Sequence, residues 1–195
     1  MSKVLVDTID TRSGTSTMTI GSTNTTTIAL KSGATLTNFP VTDVLFAATI
    51  NNNQSLSHEV MTKLTFDTEI YDVGTCYDHS SNYRFTVPSG KGGYYHVGGK
   101  VCFEASANTK QMIAWLKFKK NGSDTDLGGA GTNQPDHYNN GSASGHRNIM
   151  TSTDFIINLS AGDYIEAFGQ QGHDDSSASN ARADYSLFWG YKLIT

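Results

Sequence analysis

"DYSLFWGYKLI", residues 184–194, decides how the rest of the chain reads. Large apolar groups occupy both parities: Tyr185, Leu187, Trp189, Tyr191 and Leu193 on one, Phe188 and Ile194 on the other. Successive side chains of a strand point to opposite faces, so a strand apolar on both faces is expected to be covered on both. In a two-sheet protein one face meets the core. The other must then meet a second subunit or an overlying loop.

The segments upstream supply the sheets. "YYHVGGKVCFEA", residues 94–105, places Tyr95, Val97, Val101 and Phe103 on one face and Tyr94, His96, Lys100 and Cys102 on the other. In "QMIAWLKFKKNG", residues 111–122, Met112, Ala114, Leu116 and Phe118 alternate with Ile113, Trp115 and lysines, and Asn121-Gly122 offers a tight turn. "DFIINLSAGDYIEAF", residues 154–168, reads as two strands around a turn at Ser160 to Asp163. From Val41 onward such short runs are cut by Gly, Asn, Asp and Ser, the pattern of an all-β sandwich, and no long amphipathic helix is visible.

Up to Asn38 the chain is dominated by Thr, Ser and Gly and lacks Phe, Tyr, Trp and Cys. In "TSTMTIGSTNTTTIALKSGATL", residues 15–36, Ile20, Ile28 and Leu36 recur every eight positions. Alone, such a segment buries too little apolar surface to offset its chain entropy. It is either a Ser/Thr-rich linker or a strand-turn repeat whose Ile20, Ile28 and Leu36 meet their equivalents in neighbouring chains. The composition change divides the chain into residues 1–40 and 41–195.

Charge and composition exclude some roles. Lys and Arg number 14 against 18 Asp and Glu, a net charge of -4, which lacks the basic surplus of a nucleic-acid binder. Two cysteines, Cys76 and Cys102, are too few for a disulfide scaffold and read as reduced, or at most one bridge. No run of eighteen apolar residues suggests membrane insertion, and "SKVLVDTIDTRSG" at residues 2–14 lacks the apolar core of a signal peptide.

Catalytic patterns are not met. "GSASG", residues 141–145, has Ala143 where a nucleophile elbow needs serine, and "HEVMT", residues 58–62, has Thr62 where a zincin needs its second histidine. No phosphate-cradling loop occurs, and no catalytic residue or resident cofactor is expected.

Two loop clusters carry binding chemistry. "NQPDHYNNGSASGHRN", residues 133–148, offers Asn133, Asp136, His137, Tyr138, His146 and Arg147: hydrogen-bonding groups with one aromatic ring, suited to stacking on a sugar while bonding its hydroxyls. "QQGHDDSSASN", residues 170–180, offers His173, Asp174 and Asp175, of which the carboxylates can supply oxygen ligands to an axial Ca2+ ion.

From residue 43 on, the sequence resembles the C1q-like domain of the C1q/TNF superfamily. "FDTEIYDVGTCY" carries Phe66, Asp72 and Tyr77 at the spacing of that family's signature, and "YRFTVPSGKGGYYHVGGKVCF" resembles its continuation through Gly93, Tyr95 and Val97. "KKNG", "LSAGDYIEA" and "SLFWGYKLI" resemble the family's Lys-Asn-Gly turn, Leu-x-x-Gly-Asp strand and closing strand. The resemblance implies a ten-stranded jelly roll that forms a compact homotrimer. The outer residues Tyr185, Leu187, Trp189 and Tyr191 would then lie at the subunit interface.

The Thr-rich segment lacks a collagen Gly-X-Y repeat and instead resembles stretches that precede C1q-like tips in structural proteins of tailed bacteriophages. That resemblance implies an extended β-stalk for residues 1–40, packed against two copies of itself and joined to other virion proteins through the N-terminus. The expected function is a trimeric tail fibre or spike attached to a host-cell surface glycan or protein, in a virion assembled in the bacterial cytoplasm. A capsid head fibre or decoration protein is the structural alternative; a secreted C1q-like binding module and a glycan hydrolase are further readings.

Overall fold

The structure, a computed structural model, describes residues 43–104, 112–123, 148–174 and 176–193. The stalk segment with Ile20, Ile28 and Leu36, and the loop candidates Asn133, Asp136, His137, Tyr138, His146 and Arg147, lie outside the described residues. All of the described residues belong to the unit Pro40–Thr195.

Twelve strand segments occur among the described residues: β1 (Leu45–Thr49), β2 (Gln54–Leu56), β3 (Thr62–Lys63), β4 (Thr68–Val73), β5 (Tyr77–Asp78), β6 (Arg84–Thr86), β7 (Gly93–Glu104), β8 (Met112–Lys120), β9 (Asn148–Leu159), β10 (Tyr164–His173), β11 (Ser179–Ala181) and β12 (Leu187–Lys192). They form two antiparallel sheets. The first runs β4-β1-β12-β7-β9, with β11 and β2 continuing the β12 edge of β7 toward its end. The second runs β5-β6-β10-β8, with β3 following β6 along β10. Consecutive strands change sheet at β2–β3, β3–β4, β4–β5, β6–β7, β7–β8, β8–β9, β9–β10 and β10–β11. This is jelly-roll topology, in which neighbours in sequence face one another across the core.

Strand alternation builds that core. Tyr95, Val97, Val101 and Phe103 of β7 are fully buried, as are Ala114 and Leu116 of β8, with Met112 and Phe118 nearly so. These are residues that the alternation in the sequence places on one face of each strand. Phe46 of β1 organises the aromatic centre: it stacks on Tyr77 at 4.9 Å and Phe85 at 5.0 Å and meets Phe188 edge-on at 4.9 Å. The buried phenols are satisfied, Tyr77 donating to the Phe66 carbonyl at 2.9 Å and Tyr95 to the Lys91 carbonyl at 2.5 Å. Burial pushes the Tyr95 hydroxyl up to about 12.

Cys102 differs from the alternation. It has outward parity but is 3% exposed, and its backbone is bonded by the segment after β11: Arg182 N–H donates to the Cys102 carbonyl at 2.8 Å. Cys76 and Cys102 are free thiols.

The two expected turns are present and joined. Asn121 and Gly122 both have positive φ, 52° and 74°, and Ser123 N–H bonds the Lys120 carbonyl at 3.0 Å. Between β9 and β10, Asp163 accepts from Ser160 N–H at 2.9 Å, from the Asn121 amide at 2.8 Å and from Lys120 at 2.8 Å. The Asn121 carbonyl oxygen in turn accepts from Tyr164 N–H at 2.9 Å.

Two measurements test this packing. A Cβ on Gly190 would lie 2.8 Å from Phe46 Cε1 and 3.3 Å from the His96 carbonyl, inside the aromatic centre. Gly190→Ala is therefore expected to cost about 1–3 kcal/mol in urea unfolding. An unchanged midpoint would contradict the packing. Acid unfolding tests the turn clamp: Lys120 first, then Asn121 and Ser160 N–H, hold the Asp163 carboxyl down to about 2. A folded value below the unfolded one stabilises fully above about pH 4 and is lost as the pH falls toward 2. Asp163→Asn is expected to lower stability at pH 7 by about 1–3 kcal/mol and to flatten the decline below pH 4.

Candidate functional site

The outer face of the first sheet is where β12 is apolar a second time. Register places its residues in rungs. One rung runs Ile156, His96, Tyr191, Leu45, Val73 across β9, β7, β12, β1 and β4; the next runs Asp154, Gly98, Trp189, Ala47, Tyr71. Outward apolar groups thus occur on all five strands, with His96, Gly98 and Asp154 between them. Ile156 is 64% exposed, Tyr94 48%, Tyr71 47%, Val73 45% and Tyr191 39%. A groove of about 220 Å³ opens there, lined by Leu45, Phe46, Tyr71, Trp189, Gly190 and Tyr191.

The centre of this face is held rigid. Gly98 leaves room for the Trp189 indole, since a Cβ there would lie 2.4 Å from Trp189 Cζ2. The His96 ring meets Trp189 edge-on at 4.9 Å and Tyr191 at 5.3 Å. Its Nδ1 lies 2.9 Å from the Tyr191 hydroxyl and its Nε2 2.7 Å from the Asp154 carboxylate. The polar cluster of His96, Tyr191 and Asp154 is therefore internally hydrogen-bonded, which lowers the desolvation cost of covering it.

Of the expected interface residues, Leu187, Trp189 and Tyr191 share this face by register. Tyr185 does not belong to the strand: it ends a 3₁₀ turn, Ala183–Tyr185, and its ring lies 5.6 Å from the Arg182 guanidinium. Period-two alternation cannot be extended through a turn. Tyr71, Val73, Tyr94 and Ile156 join the site only through register. A double-parity signal was present in "DFIINL", where Phe155 and Ile157 pack on the core and Ile156 faces out. At Tyr71 the pattern is hidden by a bulge between Ala47 and Ala48 that turns Ile70 outward as well.

Of the metal candidates, His173 and Asp174 lie among the described residues. His173 is 3% exposed at the end of β10, its N–H donating to His58 Nδ1 at 3.1 Å. Asp174 is exposed and Asp175 lies outside the described residues. No group of three or more His, Cys, Asp or Glu side chains able to hold a metal occurs among the described residues.

A second hollow, near 600 Å³, has Glu69, Asp72, Cys76, Asp78 and His79 in its walls. Its acids are already engaged. Asp72 accepts from the N–H groups of Cys76 at 2.9 Å and Tyr77 at 3.1 Å, and Glu69 lies 2.6 Å from His79 Nδ1. Burial, followed by the Asp72 carboxylate, pushes the Cys76 thiol far up, so it serves as a hydrogen-bond donor and not as a nucleophile.

No protein-family model and no curated protein matches the chain. Solved structures similar to it are C1q- and TNF-family domains. The globular domain of zebrafish complement 1qA is 14% identical, with 77% of this chain and 97% of that one covered and a TM-score of 0.47. Eiger TNF from S. frugiperda is 11% identical over 78% and 94% of the two chains, TM-score 0.46. Murine APRIL is 14% identical over 77% and 98%, TM-score 0.47. The strand order itself carries the jelly-roll assignment: β4-β1-β12-β7-β9 facing β5-β6-β10-β8.

Proposed function

We propose that residues 41–195 form the self-associating head of a homotrimeric virion fibre or spike, which holds a bacteriophage particle to the host-cell surface. The observation that carries the reading is the apolar outer face of the β4-β1-β12-β7-β9 sheet. Burying the exposed parts of Tyr71, Val73, Tyr94, Ile156 and Tyr191 contributes on the order of 1 kcal/mol each. Each association costs at least about 4 kcal/mol of lost freedom. A closed ring of three makes three contacts for two such losses, so it succeeds where a single contact is marginal.

Attachment then works by avidity. Three equivalent sites on one head, and several heads on one particle, turn weak contacts into firm binding. The virion setting is supported by the Thr-rich segment of residues 1–40, whose eight-residue repeat suits a stalk of stacked chains. Contact with adaptor proteins through the N-terminus belongs to the same reading.

Light scattering of the full chain tests the assembly, with a mass of three chains expected. Ile156 is exposed in the single chain, so Ile156→Lys is expected to keep the native circular dichroism while reducing the mass to that of one chain. A native chain that is monomeric at micromolar concentration overturns the reading.

A further inference from the structure

The outer face of the second sheet has a different character, and register again shows it. One rung runs Arg84, Glu166, Lys119 across β6, β10 and β8; the next runs Lys63, Phe168, Lys117 across β3, β10 and β8. Four cations therefore stand at the corners of a rectangle about 10 Å across the strands and about 7 Å along them. Among the described residues one carboxylate, Glu166, lies inside it.

That carboxylate is consumed locally: Lys63 Nζ sits 2.5 Å from Glu166 Oε1, whose side chain is 11% exposed. Asp78 extends the first rung beside Arg84, but its oxygens accept from Ser80, Ser81 and Asn82 of its own turn. Among the described residues neither Arg84 nor Lys117 has an ion pair, and Lys117 is exposed. The face is positive on a chain whose net charge is -4.

Aromatic rings are interleaved with these cations. The Arg84 guanidinium lies 4.1 Å from the centre of the Tyr164 ring, and Lys119 Nζ 4.5 Å from that of Phe168. Trp115 occupies the next rung, opposite Gln170 and two residues from Lys117. An indole beside an unpaired ammonium group offers a stacking surface for the C–H face of a sugar ring and a partner for its acid group.

From this arrangement we infer that the outer face of the β5-β6-β10-β8 sheet binds an anionic polysaccharide, with Lys117 and Arg84 pairing its acid groups and Trp115 stacking on a ring. The inference deepens the attachment reading by naming the ligand class, and it rests on that reading only for avidity. Saccharide is favoured over nucleic acid because the basic area is small and the remainder of the chain carries a negative field that opposes a long, densely charged phosphate polymer. The face lies on the side of the sandwich opposite the apolar one, so self-association there leaves it open.

Binding of the full chain to hyaluronate, a regular uronate polymer, is the test, with neutral dextran and duplex DNA as comparisons. Hyaluronate binding that weakens with rising salt is expected, with dextran and DNA bound more weakly. Lys117→Gln and Arg84→Gln are each expected to reduce affinity about fivefold, the worth of one charge-assisted contact. Trp115→Ala is expected to reduce it with the salt dependence unchanged. Ile156→Lys is expected to lose tight binding to a dense hyaluronate surface but keep the single-site affinity in solution, so failure of trimerisation and failure of this site give different results. Absence of hyaluronate binding, equal binding of dextran or DNA, or unchanged affinity in Lys117→Gln overturns the inference.

Discussion

Phe46 has to lie flat between the sheets, and much of the head follows from that requirement. Its ring stacks on Tyr77 and Phe85 and meets Phe188 edge-on, so β1 and β12 of one sheet are tied to β5 and β6 of the other. Room for the ring exists because Gly190, on the neighbouring strand, has no Cβ to collide with it. The same strand turns Trp189 and Tyr191 outward at the residues on either side. Core packing and the outer apolar face are therefore fixed by one six-residue strand, and neither can change register without the other.

Glycine serves the outer face in the same way. Gly98 of β7 accepts the Trp189 indole, which brings His96 into edge-on contact with the ring and holds it between Asp154 and Tyr191. An exposed sheet face would ordinarily be lined with mobile polar chains. Here it is a preorganised surface, and preorganisation reduces the entropy lost when such a face is covered.

The strands of the core were legible because alternation is a local signal. β7 and β8 show their two faces in sequence, and Asn121-Gly122 and Ser160 to Asp163 mark turns. Cys102, outward by parity yet buried, could not be read this way, because parity states which side a residue takes and not what lies over it. Tyr71 and Ile156 required register, which sequence does not state, and Tyr71 was masked further by a bulge. The four-cation rectangle was hidden for the same reason: Lys63, Arg84, Lys117 and Lys119 come from three strands that only pairing with β10 brings together. Whole-chain charge averages over faces and so does not show a cationic one.

The chain has two tryptophans, and the fold assigns one to each face. Trp189 stands on the apolar sheet among His96 and Tyr191, while Trp115 stands on the cationic sheet beside Lys117. The molecule thus carries two intrinsic optical probes separated by the thickness of the sandwich. Replacing either one would let the emission of the remaining indole follow events on its own surface, without any added label.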